Sequence, residues 1–432
     1  MYLLYNGFLV LASLAALPYF AVKSLRTTKY RAGLRQRFGQ VPQEAVSALH
    51  GMRPLWLHAV SVGEVIAAAP LVQALRQRFP HLPILISTVT ETGQATAREK
   101  MPTEACLYFP LDYRWVVRRV IARLRPRLFL MVETEIWPNF LHELARQGIP
   151  AMLVNGRISP RSFRGYRRLR PFMRRVLPAI NTFSMQTTLD AERIVAIGAE
   201  PPRVRITGNI KYDIALEPMS SAEERALRND LGLDEAPVLM AGSTHRGEED
   251  IVIEAFRRAR QQVPTLRLLL APRHLERLEE IEALLHKHGL TVQRRSRGHR
   301  PAPSREACVL LIDTIGELAR LYAVGTVVFV GGSFVPIGGH NVLEPAAHRQ
   351  AIVFGPHMHN FEEIATALVE AGGALQVQTP DALSHSVLAL LQQPKRRQRL
   401  GAAAYQVLHT NQGAVTRTIE LIEPFLSQPT HI

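Results

Sequence analysis

Short, largely apolar runs alternate along this chain with longer stretches in which apolar residues recur every three or four positions. Pro54 to Val60, Ile84 to Val89, Leu128 to Val132 and Ala151 to Val154 are near-continuous in apolar character. That is the signature of parallel strands covered on both faces, whereas a strand with one wet face alternates. Each run is followed by a 3.6-residue pattern, which predicts βα repetition. The alternation returns after residue 235 in Val238 to Ala241, Leu266 to Ala271, Val309 to Ile312, Val327 to Val330 and Ala351 to Phe354. The class expected is α/β, in two doubly wound domains. Between them Ile214 to Asp234 is polar and charged, and Ser220-Ser221 supplies an N-cap for the helix that follows. The organisation read from the pattern is therefore a first segment over 1–22, a first domain over 23–213, a linking region over 214–234, a second domain over 235–410 and a C-terminal helix and tail over 411–432.

The 432-residue length agrees with two cores rather than one. The first segment modifies that picture, because Tyr2 to Val22 carries no charged residue and as a helix would reach roughly 30 Å. Lys23, Arg26, Lys29, Arg31, Arg35 and Arg37 all come after it, the reverse of a cleaved leader, so a membrane anchor with the body on the cytoplasmic side is expected. Asn6, Pro18 and the modest length leave open a segment that lies in the interface or packs as a core helix. A net charge of +15 points to anionic partners, an acidic membrane surface or a phosphorylated substrate. Nucleic acid is not expected, since no nucleic-acid-binding module is present. The two cysteines, Cys106 and Cys308, are far apart and fit neither a disulfide framework nor a metal site.

In open α/β sheets the chemistry belongs beyond the carboxyl ends of the strands, so the loops there are the expected place for reactive groups. His58-Ala-Val-Ser-Val-Gly-Glu64 follows the first strand and sets Glu64 at a helix start. A helix N-terminus lowers a carboxylate's pKa and burial raises it, and the two effects leave its strength as a base open. Glu133 and Glu135 follow a later strand, either as helix caps or as an acid-base pair, and Lys211 closes the first half in GNIKYD. In the second half, GSTH, APRH and DTIGE follow three strands, and Arg273 offers a planar fork of donors suited to phosphate. Gly331 to Glu344, GGSFVPIGGHNVLE, reads as a phosphate cradle: flexible glycines behind a strand, then a helix starting near Asn341 with free N–H groups aimed at an anion. Glu344 is placed to meet sugar hydroxyls. No Asp-X-Asp occurs, and His340, His357 and His359 lack a carboxylate partner, so no metal is expected.

Seven ordered motifs, HAVSVGE, ETEIWPN, GNIKYD, APRH, DTIGEL, GGSFVPIGGHNVLEPAAH and FGPHMHNF, resemble those of the 3-deoxy-D-manno-oct-2-ulosonic acid (Kdo) transferases of lipopolysaccharide synthesis, family 30 of the glycosyltransferases. The resemblance spans nearly the whole chain. It implies a GT-B fold, two Rossmann-like domains facing across a cleft. It also implies inverting, metal-independent transfer of Kdo from CMP-Kdo to the lipid A precursor lipid IVA, with no cofactor besides the donor substrate. By the same resemblance Glu64 is the general base, and Glu133 and Lys211 stabilise the transition state. Pro272, Arg273, Ile315, Gly316, Glu317, Asn341, Val342, Leu343 and Glu344 match the positions that bind CMP. A UDP-sugar-dependent GT-B transferase acting on another membrane lipid is the alternative.

The anionic acceptor is expected to land on Arg157 to Arg175. There Arg157, Arg161, Arg164, Arg167 and Arg168 alternate with Phe163, Tyr166, Leu169, Phe172 and Met173. Such a stretch either sets its apolar side at a lipid boundary while arginines meet phosphates, or packs that side into its own core. Arg294 to Arg305 reads as an exposed basic loop.

Overall fold

The computed structural model describes residues 1–26, 33–214, 216–297 and 308–427. Two units divide them, Met1–Asp213 with Asn411–Ile432, and Ile214–Thr410. In the first, strands β1 (Leu55–His58), β2 (Ile84–Thr88), β3 (Ala105–Tyr108), β4 (Leu128–Val132), β5 (Ala151–Gly156), β6 (Thr182–Met185) and β7 (Val204–Ile206) form one sheet in the order 3-2-1-4-5-6-7. In the second, β8 (Val238–Thr244), β9 (Arg267–Pro272), β10 (Val292–Arg294), β11 (Val309–Leu311), β12 (Val327–Val330), β13 (Ala351–Phe354) and β14 (Ala374–Gln376) run in the order 10-11-9-8-12-13-14. Every pairing is parallel. The chain reverses its direction of winding between β1 and β4, and again between β8 and β12, which are the two places where a doubly wound sheet opens a crevice.

Both faces of the first sheet are buried, which is why its strands read as continuous apolar runs. Trp56, Phe129, Met131, Leu153 and Phe183 point to one side. Leu55, Leu57, Leu130, Val132, Met152 and Val154 point to the other. Ala414, Val415, Ile422 and Leu426 of the helix Ala414–Ser427 belong to that second cluster, so the end of the chain returns to cover a face of the first sheet. Asp213 anchors the return, its carboxylate accepting the N–H of Gly413 at 2.6 Å and that of Val415. Residues 214–234 fall in the second unit, where Ser220 and Glu223 form a reciprocal capping box on the helix Ser221–Asp230.

The first helix, Tyr2–Arg26, is docked along one side of its first turns. The Tyr5 hydroxyl donates to Asp112 at 2.8 Å, the amides of Asn6 and Asn139 bond each other, and Tyr2 meets His142 and Phe172. On the other side Leu3, Leu4, Phe8, Leu11 and Leu14 are exposed, with Leu3 at 83%. Among the described residues no helix is long and apolar enough to cross a membrane.

Two expected surface segments take a different form. Arg157 to Arg175 holds two helices, Pro160–Arg168 and Arg170–Val176, broken around Leu169 ahead of Pro171. Phe163, Tyr166 and Phe172 pack against the core of the first unit and Met173 is buried in it, so the aromatic side is internal, while Arg161, Arg164, Arg167 and Arg168 stay exposed. Of the basic loop, Arg294 and Arg295 are ion-paired, to Glu282 and to Asp230, rather than solvated; residues 298–305 lie outside the described residues.

Candidate functional site

In the first unit the site grows from the loops after β1, β4 and β7. Ser61 caps the helix Val62–Arg78, and the Glu64 carboxylate folds back onto the cap, accepting the Val60 N–H at 2.8 Å and the Ser61 hydroxyl at 3.0 Å. Burial nonetheless dominates and raises the pKa of Glu64. The Val60 N–H opposes that shift and the charge of Glu133 adds to it. The competition left open by the sequence is thus decided in favour of a stronger base.

Glu133 sits at the end of β4 with φ +58, a left-handed conformation that a side-chain-bearing residue rarely adopts. Neither Glu133 nor Glu135 caps the following helix, Pro138–Arg146. Asp112 does so from upstream, accepting the N–H groups of Asn139 at 3.0 Å and Phe140 at 2.8 Å. Glu135 is pushed up to about 7, by burial first and then by the charge of Glu64. The charge of Glu133 adds to the shift of both Glu64 and Glu135, so the three carboxylates share one electrostatic environment.

Lys211 lies in the turn Ile210–Tyr212, which packs against the Glu64 helix. Asn155, wholly buried and itself at φ +54, holds that turn by accepting the Ile210 N–H at 3.0 Å on Oδ1. Sequence reading missed Asn155 as a positioning residue. Its only signal was an Asn-Gly pair ending a strand, which reads equally as a turn.

His58 opens the HAVSVGE motif but lies beneath the site, fully buried, stacked on Phe109 at 3.8 Å and bonded through Nδ1 to Ser87. Burial pushes its pKa down to about 3 from 6.5. The unfolded chain accepts a proton below 6.5 that the folded unit refuses, so stability falls as the pH drops from about 6.5 toward about 3. The expected slope is about 1.4 kcal/mol per pH unit from this group. Urea melts of the protein and of His58→Gln across that range measure it: the variant loses this component of the slope, whatever its stability at neutral pH.

In the second unit the loops follow four neighbouring strands, β11, β9, β8 and β12. The glycine cradle is not open as the sequence suggested. Glu248, with no exposed surface, fills it: Oε1 accepts the N–H groups of Ser333 at 2.9 Å and Phe334 at 2.8 Å, and Oε2 those of Gly332 at 2.7 Å and His245 at 2.9 Å. A carboxylate of the protein thus occupies the nest that was assigned to a ligand's phosphate. The helix expected near Asn341 begins at Leu343 and spans only Leu343–Ala347. Asn341 accepts the Leu343 N–H at 3.0 Å and donates to Glu344 at 3.1 Å. Val342 and Leu343 are fully buried, so only their backbone can face a ligand.

The remaining nucleotide-binding positions are more open. Ile315 is 89% exposed beside Gly316 at φ +92, an apolar side chain presented to solvent by a loop. Glu317 accepts the Thr314 hydroxyl and lies 3.6 Å from Arg295. Pro272 is buried at the end of β9, and Arg273 next to it is exposed. Sequence reading missed Glu248 because acidic residues opening a helix, as in Gly247-Glu-Glu-Asp, ordinarily complement the helix dipole and nothing more.

Two parallel seven-stranded α/β units, each with its polar loops gathered at the carboxyl ends of its strands, define a GT-B-like fold. Solved structures agree at the level of fold: MurG from Acinetobacter baumannii superposes with a TM-score of 0.55 at 14% identity, over 86% of this chain and 100% of that one. Residues 32–214 match the family described as 3-deoxy-D-manno-octulosonic-acid transferase (kdotransferase). The 3-deoxy-D-manno-octulosonic acid transferase of Haemophilus influenzae is 36% identical over 98% of both chains, and that of Bordetella pertussis 36% identical over 90% of this chain and 91% of its own. The chain belongs to the 3-deoxy-D-manno-octulosonic acid transferase family.

Proposed function

We propose that this Kdo transferase takes the sugar from CMP-Kdo and delivers it to the phosphorylated glucosamine lipid that precedes lipid A, lipid IVA, with Glu64 as the general base. One observation carries the base assignment: Glu64 stands at the switch point of the first sheet with its proton affinity raised by burial and by Glu133. In the reaction the acceptor hydroxyl gives its proton to Glu64 and its oxygen bonds the anomeric carbon. The bond from that carbon to the CMP phosphate breaks on the opposite face, and its electron pair leaves with the phosphate, so the anomeric configuration inverts. Glu133 and Lys211 stabilise the charge that develops at the sugar, and Arg273 the charge on the departing phosphate. Exposed Ile315 offers the cytosine ring a flat apolar contact, and Glu344 is the partner for ribose hydroxyls. Incubating the protein with CMP-Kdo and lipid IVA and reading the product by mass spectrometry tests this. A mass gain of one or more Kdo units is expected. Transfer from a UDP-sugar instead would establish the alternative donor.

A membrane-lipid acceptor requires the protein to sit at a lipid surface. The first helix presents Leu3, Leu4, Phe8, Leu11 and Leu14 outward, and exposed Trp115, stacked with Phe38, follows closely on Tyr113, which bonds Ser13 of that helix. An apolar stripe with an aromatic neighbour suits the headgroup boundary of the inner membrane, cytoplasmic side, with Arg161, Arg164, Arg167 and Arg168 meeting anionic lipid. Leu4→Glu combined with Phe8→Glu is expected to reduce sedimentation with anionic vesicles about tenfold. The melting temperature should hold, since both side chains are exposed; unchanged sedimentation rejects the anchor.

A further inference from the structure

His245 and His340 come from the loops after neighbouring strands β8 and β12, and their Nε2 atoms lie 2.8 Å apart with the rings stacked at 5.1 Å. At that distance the contact is a hydrogen bond, so one Nε2 carries a proton and the other accepts it. A third ring, His274, stands edge-on to His245 at 5.3 Å from the loop after β9. The arrangement is built into the fold. The same oxygen of buried Glu248 takes the N–H groups of both His245 and Gly332, and so ties the two histidine loops together. Gly332, at φ +67, lies against the His340 ring, where a Cβ would come within 3.0 Å.

The charges around the cluster are cationic or already neutralised, apart from the exposed carboxylate of Glu276 at its rim. Arg273 precedes His274 and makes no side-chain hydrogen bond or ion pair among the described residues. Arg277 is paired with Glu249 at 2.9 Å and Glu280 at 3.1 Å, and Glu276 lies 3.2 Å from His274. Glu248 is committed to four N–H groups. The loop holding His357 and His359 presses on Gly338 and Gly339, just before His340, and brings no carboxylate. A metal cation meets Arg273 and Arg277 here, and no metal-binding group of three occurs among the described residues. An anion meets three imidazoles and a guanidinium.

Burial and the neighbouring cations hold the pair neutral: His340 is pushed down to about 4 by burial first, then by His245, Arg273 and His274, and His245 is lowered by burial first, then by His274, Arg273 and Arg277. An anion entering the cluster reverses the electrostatic part of that effect. We propose that His245, His340 and His274, with Arg273, form a subsite for the phosphate of the donor nucleotide, and that the histidine pair takes up one proton as the phosphate binds. This rests on the CMP-sugar reading above and deepens it. When the bond to the sugar breaks, the phosphate gains a second negative charge, and the proton held by the pair lies against it. By linkage, a group whose pKa rises on binding makes binding tighter as the pH falls below the bound value.

The test is titration calorimetry on the full chain with the methyl ester of cytidine 5′-monophosphate. This ester keeps a single charge from about pH 8 to about pH 5.5, so any proton taken up belongs to the protein. Runs in buffers of different ionisation enthalpy count the protons. The expected results are uptake of about one proton, affinity about tenfold higher at the lower pH, and loss of both in His340→Gln. Cytidine, which lacks phosphate, should bind weakly and without pH dependence. Tight binding with no proton uptake overturns the proposal, as does an unchanged pH slope in His340→Gln. If the ester binds at no pH, the CMP-sugar reading itself fails.

Discussion

Replacing Glu64 by Gln is expected to slow Kdo transfer by about a thousandfold while CMP binding and the melting temperature stay as they are. The amide keeps the shape of the carboxylate, and its oxygen still accepts the Val60 N–H that the carboxylate takes at 2.8 Å. What it loses is the ability to hold the acceptor's proton. Glu64→Ala removes the base and the cap partner together, and adds a loss of about 1 kcal/mol in stability, which separates the two roles. The pH profile gives a second readout. The base works only when ionised, so activity rises with pH through the Glu64 pKa, which burial and Glu133 hold above the ordinary carboxylate value. The acid limb of kcat should accordingly lie above that value in the native protein, and in Glu64→Gln the residual rate should lose this limb. Transfer by Glu64→Gln at the native rate would place the base elsewhere, and Glu135, already near neutrality, would be the next residue to substitute.

The apolar pattern predicted the interior strands well, and its failures have a common cause. β1, β2, β4 and β5 of the first sheet, and β8, β9, β11, β12 and β13 of the second, are buried on both faces and therefore read as apolar runs. The strands that went unread include β3, β7, β10 and β14, the four sheet edges, of which β7 and β10 have no fully buried residue and β14 only one. β6, Thr-Phe-Ser-Met, lies inside the sheet, but its Ser184 hides by bonding Thr207, a long-range pairing that local sequence does not encode. The site divides in the same way. Glu64, Glu133 and Arg273 were visible because charged residues just after apolar runs are conspicuous, and Lys211 because it is a lone cation in the short motif GNIKYD. Asp112, Asn155 and Glu248 were not, because each acts on backbone N–H groups remote in the chain, as far as 28, 55 and 86 residues away respectively. The glycine-rich motif Gly331 to Glu344 carries backbone N–H groups that converge on an anion, but that anion is in part the Glu248 carboxylate.

That substitution of roles makes Glu248 the residue whose loss should damage the second unit most. Glu248→Ala strips the acceptor from four N–H groups, and those of Gly332 and Ser333 are buried where water cannot replace it. Each buried donor left unpaired costs about 1–3 kcal/mol, so a loss of about 4 kcal/mol on urea unfolding is expected. Glu248→Gln keeps one oxygen for two of the donors but turns an NH2 group toward the other two, and should fall between the native protein and the alanine variant. Burial raises the pKa of Glu248 while the N–H bonds hold it down, and the geometry shows why the charged form is tolerated: four donors converge on it. The expected signature in function follows from the tie between loops. His245 and Gly332 share one oxygen, so Glu248→Gln, where it still folds, should weaken CMP binding about tenfold without touching Glu64 chemistry, raising KM for the donor at nearly constant kcat. A fall in kcat alone, with donor KM unchanged, would mean that the buried carboxylate holds the sheet together but does not shape the nucleotide site.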